Sequence, residues 1–564
     1  MPVRARPPGS EGDRDRPQVS AFGPDFPFAF DDWIRHPAGL GELPAGRAGT
    51  EVAIIGAGMA GMVAGYELMK LGLRPVLYES ARLGGRLRSE PFGAAEGVVA
   101  ELGGMRFPVS GTCFYHYLDL VGCQTRPFPN PLTAAAPSTV VDLAGQPLHA
   151  RTIDDLPPLF REVAAAWDAA LEAEAHLTEL QAAISRRDAR AVKELWDPLV
   201  RAWDDRTFYD FVATSGAFRA LSFRHREVFG QVGFGTGGWD SDFPHSMLEI
   251  LRVVTCEFES DQRLVVGGAE QVPRRLWAHE PDELAHWPRA TSLARLHSGA
   301  ARPGVARLRR VADDLIEVED RNGVCRRYPA VLVTTQSWLL TTGIDTDETL
   351  FSQDLWMALD RTRYMQSSKT FVMVDRPFWT DVDPTTGRPP LAMTLTDRNT
   401  RGTYLFDNGP DQPAVICLSY AWAADALKVL PLTAHERARL ALDTLAKIYP
   451  DTDIRSHVLG DPITVSWEAD PDFLGAFKGA LPGHYRYNRR MYGQFVQRDL
   501  PAVERGIFLA GDDVSWTPGW VEGAVQTALN AVWGIVAHLG GRSPAANPGP
   551  GDRWDDLAPL DLGD

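Results

Sequence analysis

The sequence predicts an α/β + α+β chain in which a dinucleotide-binding domain is joined to a second, mixed-sheet domain and carries a helical insertion. The prediction rests on a strand–turn–helix–strand unit at 51–79 and a helical stretch at 157–204. It rests also on a change to alternating, aromatic- and proline-rich segments between about 345 and 500. At 564 residues the chain is too long for one core,.

The first unit begins with an apolar strand, Val52 to Ile55, and turns through Gly56, Gly58 and Gly61 into a helix that carries Gly65 on the same face. A second strand, Pro75 to Tyr78, stops on Glu79, 18 positions after Gly61. Gly56 allows the tight turn, Gly58 lets backbone approach a pyrophosphate, and Gly61 lets the helix pack on the strand. The helix N-terminus offers unpaired N–H groups to phosphates. Glu79 is placed to accept hydrogen bonds from ribose hydroxyls. Met59 and Ala60 lie between the glycines, and Ser80 follows the acid. The unit is of the Rossmann type, and by itself does not distinguish NAD from FAD.

The remaining elements follow in order. Residues 1–20 are rich in Pro, Arg and Asp and are expected to be disordered or draped on the surface,. The aromatics of 26–41 suit an arm that covers another domain or subunit. After the nucleotide unit come two glycine-rich pieces, LGGRLRSE with Gly85 and Arg86, and ELGGMRFP with Gly104, Met105 and Arg106. Residues 157–204 have apolar residues at helical spacing, and 233–257 reads as a loop running into a helix. Residues 264–277 restart the α/β pattern. A hairpin turning at Arg321-Asn322-Gly323 and a buried strand, Ala330 to Thr335, follow,. A strand at 506–513 ends in Gly511 and Asp512, a helix covers 518–539, and the acidic tail is expected to be irregular. The predicted organisation is an N-terminal arm (1–48), a discontinuous nucleotide domain (49–130, 262–340 and 500–540), a helical insertion (131–261), a substrate domain (341–499) and a tail (541–564).

Composition narrows the function. The formal charge, 57 − 74 = −17, argues against nucleic-acid binding and is compatible with a cationic small substrate,. The five cysteines are scattered and lack C-x-x-C spacing, so neither a disulfide framework nor a zinc site is expected,. The N-terminus shows no apolar signal region and no run reaches the length of a membrane span, so the expected location is the cytoplasm,.

A nucleotide domain in three separated pieces suggests a flavoprotein with an interleaved substrate domain. The motifs GAGMAGMVAGYEL, LGGRLRSE, GGMRFP, YMQSSKTFVMVDRPFW, TLTDRNTRGTYLFD, ITVSWEADPDFLGAFKGALPGHY and FLAGDDVSWTPGWVEGAVQTALNA occur in order along nearly the whole chain. Together they resemble the flavin-dependent amine oxidase superfamily, in its L-amino-acid oxidase and 2-monooxygenase branch, with the L-lysine 2-monooxygenases as the nearest group. The resemblance implies a two-domain flavoprotein with a Rossmann-type FAD-binding domain and a mixed-sheet substrate domain.

It also implies roles. Arg106 matches the arginine that binds the substrate carboxylate, a task suited to its planar fork. Tyr404 matches a tyrosine sharing that load. Lys369 matches a lysine that holds a water near the flavin and is tied to the oxygen reaction. Trp467 and Trp520 match aromatic walls beside the flavin, and Trp422 a wall of the side-chain pocket. Asp512 matches the acid at the ribityl or phosphate region, and Arg86 an arginine near the cofactor. The helix opening at Trp520–Val521 would aim N–H groups at the flavin's pyrimidine edge. Asp240 sits where the lysine enzymes place their side-chain acid, with Asp242 the alternative. Cys256 falls where they carry a cysteine that biases monooxygenation over oxidation.

No second G-x-G-x-x-G follows a strand, so reducing equivalents are expected from the substrate and not from a nicotinamide. The implied reaction converts L-lysine and O2 to 5-aminopentanamide, CO2 and water. L-Arginine as substrate, a peroxide-forming L-amino-acid oxidase, and a FAD-binding protein without amino-acid chemistry are the other readings. The resemblance also implies a homodimer or larger homo-oligomer.

Overall fold

The protein is described by a computed structural model covering residues 22–93, 97–232 and 244–563. The expected disordered segment 1–20 and both candidate acids, Asp240 and Asp242, lie outside the described residues.

A five-stranded parallel sheet is assembled from distant stretches of chain. Strand β1 (Glu51–Ile55) lies at its centre, with β2 (Arg74–Glu79) on one side and Val331–Val333 on the other. Arg302–Pro303 and Ile507–Leu509 form its edges. The register aligns Ala53 with Val76 and Val331, and Val331 with Ile507. These strands read as apolar runs because both faces are covered, one by helices and the other by the antiparallel strands Val305–Ala312, Leu315–Asp320 and Cys325–Tyr328 together with helix Gln353–Arg361,. Helix α1 (Met59–Lys70) is almost wholly buried and packs against the C-terminal helix Val521–His538. On its sheet side Gly65 lets the helix lie close to the strands: a methyl there would meet Leu77 Cδ1 at 3.2 Å and Ile54 Cδ1 at 3.5 Å.

The second sheet has seven strands, and the segment Ser367–Val374 pairs antiparallel with both Ala414–Trp422 and Val458–Ser466. Gly402–Phe406 continues the sheet on the far side of Ala414–Trp422. Its last two strands, Thr139–Leu143 and Gln146–Ala150, come from the stretch expected to be a helical insertion. The β-branched run Thr139-Val140-Val141 and the left-handed Ala144-Gly145 turn make this hairpin,. Helices follow from Pro158 to Val232, and Met247–Thr255 forms a further one. Asp188 caps one of them and a Thr207–Asp210 capping box opens another,.

The predicted turn at 321–323 joins Leu315–Asp320 to Cys325–Tyr328, with Gly323 in the left-handed region. The tail differs from expectation. It forms a short helix, Trp554–Leu557, because Trp554 packs against Phe26 and Phe495, and Leu557 is buried. The described part of the N-terminal arm packs within its own chain. Phe26 sits among Phe28, Tyr492, Phe495 and Trp554, and Asp25 takes two hydrogen bonds from the buried Arg252. No helix among the described residues is long and apolar enough to cross a membrane.

Candidate active site

A cavity of about 360 Å³ opens at the carboxyl ends of the parallel strands and runs to the face of the second sheet. Such a position is where open α/β sheets bind ligands. Ile55, Glu79, Thr334 and Gly511 line it from the ends of four strands.

The glycine-rich end is built from backbone. Gly56 adopts φ +104°, and a methyl there would lie 2.6 Å from Thr334 Oγ1. A Cβ on Gly61 would lie 2.0 Å from the Gly56 carbonyl oxygen. Gly58 is the N-cap of α1 and brings no capping side chain, leaving the first-turn N–H groups toward the cavity,. The second glycine piece closes on it, with Gly85 φ at +59° and a Cβ there 3.1 Å from Gly58 Cα. Met59, Ala60, Ser80, Gly104 and Met105 also line this cavity. Gly61 supports the turn from behind and is not part of the lining.

Glu79 has a structural task at this end. Its two oxygens accept the Ala57 N–H at 2.8 Å and the Ala81 N–H at 3.0 Å, bracing the loop from both sides. Burial raises its carboxyl above the usual range, against the pull of those bonds. Arg86 pairs with Asp512 through two contacts and donates to the Ala476 carbonyl at 2.9 Å. Asp512 in turn accepts the Gly519 N–H at 3.2 Å. This ion pair ties LGGR to the start of the C-terminal helix, where Trp520 and Val521 line the cavity.

At the other end stands Arg106. Its guanidinium lies 4.9 Å from the Phe128 ring, 4.8 Å from Tyr404 and 5.7 Å from Tyr420. Its Nε and Nη2 are buried and have no hydrogen-bond partner. Tyr404 is fully buried behind the arginine and does not line the cavity; burial pushes its hydroxyl up to about 12. Lys369 is 3% exposed and lines the cavity. Its Nζ donates to Glu101 O at 3.0 Å and Gly103 O at 2.5 Å, and lies 4.8 Å from the Tyr420 ring. Burial lowers its pKa to about 8, with Cys417 and Glu101 opposing.

Trp422, Trp467 and Trp520 all line the cavity. Trp467 is fixed by its indole N–H to Leu102 O at 3.1 Å. Cys256 does not join them. It is buried behind Val253 and Trp520, with burial pushing its thiol up to about 12. Sequence reasoning missed Tyr420, Glu249, Glu259 and Lys478, all of which line the cavity. Tyr420 had a signal. It stands two residues before Trp422 on one strand, hence on the same face, and the rings meet at 5.4 Å,. Lys478 stands inside the motif ITVSWEADPDFLGAFKGALPGHY without having been singled out, and Glu249 and Glu259 lie outside every motif quoted above.

The lining fits a flavin dinucleotide. The glycine cradle would be filled by any Cβ, and two helix N-termini open on the cavity, which falls within the size range of cofactor sites,.

Comparison with known proteins agrees with this geometry. A family model described as flavin containing amine oxidoreductase matches residues 59–536. The chain is similar to a tryptophan 2-monooxygenase of Pseudomonas savastanoi, 32% identical over 90% of this chain and 93% of the relative. A tryptophan 2-monooxygenase of Pantoea agglomerans pv. gypsophilae is 31% identical, over 89% and 91%. The flavin-dependent L-tryptophan oxidase RebO of Lentzea aerocolonigenes is 23% identical, over 88% and 99%. Among solved structures, the cyclohexylamine oxidase of Brevibacterium oxydans shares the fold, with a TM-score of 0.63 at 19% identity, over 87% of this chain and 100% of that one.

Proposed function

Since the chain belongs to the flavin containing amine oxidoreductase family and its cofactor is FAD, we propose that it is an L-amino-acid 2-monooxygenase acting on L-lysine. The reaction is L-lysine plus O2 to 5-aminopentanamide, CO2 and water. The observation that carries the amino-acid reading is Arg106, whose buried Nε and Nη2 lack partners inside an aromatic enclosure. A guanidinium so placed offers a two-pronged, charge-assisted grip on a carboxylate.

When bound, the flavin supplies a two-electron acceptor for the Cα hydrogen and the centre at which O2 is reduced. The chain's residues do the rest. Gly56, Gly58 and the first turn of α1 hold the phosphates, while Arg86 and Asp512 fix the loops around the cofactor. Arg106 binds the α-carboxylate and so orients the Cα–H. Phe128, Tyr404 and Tyr420 keep water from that ion pair, which strengthens it. An ammonium has three N–H donors, and Lys369 gives two to carbonyls,. The third remains for a water or oxygen species in the cavity. Trp422, Trp467 and Trp520 wall the pocket, which favours retention of the imino acid for decarboxylation over its release.

Support for a basic substrate comes from Glu259, a carboxylate lining the same cavity. A second reading, L-tryptophan, is favoured by the similar tryptophan 2-monooxygenases and by the aromatic walls. Aerobic turnover of each of L-lysine, L-arginine and L-tryptophan, with mass spectrometry of products, separates these readings. The expected products are 5-aminopentanamide and CO2 from lysine. Keto acid and hydrogen peroxide would make the enzyme an oxidase. An indole amide from tryptophan, with lysine inert, would assign the other substrate.

A further inference from the structure

Apart from Arg106, the ionisable groups named here around the cavity are, with one exception, matched by partners. Arg86 pairs with Asp512. Glu249 accepts from Arg252 at 2.9 Å, and Arg252 is itself held by Asp25. Lys478 donates to Asn488 Oδ1 and Ser515 O, both at 3.2 Å. Glu101 accepts from Ser89 Oγ and from the Ala269 N–H.

Glu259 is the exception. It follows the buried Phe258, whose ring packs on Trp520, and it lines the cavity. Its Oε2 is buried without a hydrogen-bond partner, and Glu259 makes no ion pair with any other described side chain. Burial raises its carboxyl to about 7, and a cation beside it would favour the ionised form,. A carboxylate left bare in a cavity is costly unless a ligand supplies the counter-charge.

Arg106 and Glu259 therefore show the same condition with opposite sign. Each lines one cavity and keeps a buried polar atom unpartnered. A single ligand satisfies both only if it carries a carboxylate and a cationic group. We propose that Glu259 receives the cationic end of the substrate side chain and sets the preference for basic over neutral amino acids. The assignment rests on the L-amino-acid reading above and adds the residue that selects within it.

Glu259→Gln tests it. Anaerobic titration of the flavin-loaded protein gives apparent Kd values for L-lysine and for L-norleucine, its neutral counterpart with the same α-carbon. The preference for lysine should fall at least tenfold in Glu259→Gln and persist in Glu259→Asp, with FAD content unchanged. Thermal melting should not drop, because the amide replaces a carboxyl group whose buried Oε2 has no partner to lose. An unchanged preference overturns the proposal. Equal weakening of both ligands also overturns it, since Glu259 would then serve the shared α-amine. A melting point several degrees lower assigns a structural role instead. If the wild-type protein prefers tryptophan to both lysine and arginine, the basic-substrate reading itself fails, and Glu259 with it.

Discussion

The two ends of the cavity are made in different ways. At the glycine end the contacts are backbone, and the side chains present brace backbone: Glu79 holds two loop N–H groups, and Arg86 with Asp512 ties two loops together. At the far end the contacts are side chains brought from separate strands and loops, namely Arg106, Lys369, Tyr420, Trp422 and Trp467. Backbone sites tolerate almost no substitution but recognise a feature common to many ligands. Side-chain sites tolerate substitution of shape and decide which ligand is chosen. On the proposed function, cofactor identity and substrate identity would be set by physically distinct parts of one space.

The largest effect that would sharpen this contrast is Gly61→Ala. The added methyl would lie 2.0 Å from a backbone oxygen that cannot move without opening the turn. The variant is expected to purify without flavin absorbance, or not to fold. A yellow Gly61→Ala protein with normal FAD content would break the claim that backbone proximity defines this end.

A smaller, graded effect belongs to Lys369. Its pKa is lowered from 10.5 to about 8 by burial, so it is cationic below pH 8 and neutral above. If the ammonium assists oxygen reduction, as the family resemblance implies, the oxygen-consuming half-reaction slows as pH rises through about 8. Lys369→Met should retain FAD, lose that ionisation and react roughly tenfold or more slowly with oxygen. Stopped-flow mixing of the reduced enzyme with oxygen across pH reads both. The same pH profile in Lys369→Met would remove the lysine from that role.

The contrast also explains what the sequence made legible. Gly56, Gly58, Gly61 and Glu79 stand within one local unit, so their spacing declared a nucleotide turn. The fold class was likewise readable from local periodicity. Glu79 illustrates the limit, because its spacing carried no sign that its oxygens also hold the loop. The hairpin Thr139–Ala150 was hidden because its partner strand Met393–Thr396 lies far along the chain. Trp554 and Leu557 were lost in an acidic tail whose few apolar residues carry its packing. Glu259 had no signal at all, since a lone acid acquires meaning only from the cavity around it.

The most direct test of the central claim, that one cavity holds the flavin at the glycine end and the amino-acid carboxylate on Arg106, is anaerobic titration of FAD-loaded Arg106→Leu. Bleaching of the bound flavin is followed with L-lysine and with L-tryptophan. Retained FAD with apparent affinity weakened about 100-fold or more for whichever amino acid reduces the wild type is the predicted result. Wild-type affinity in Arg106→Leu would contradict it.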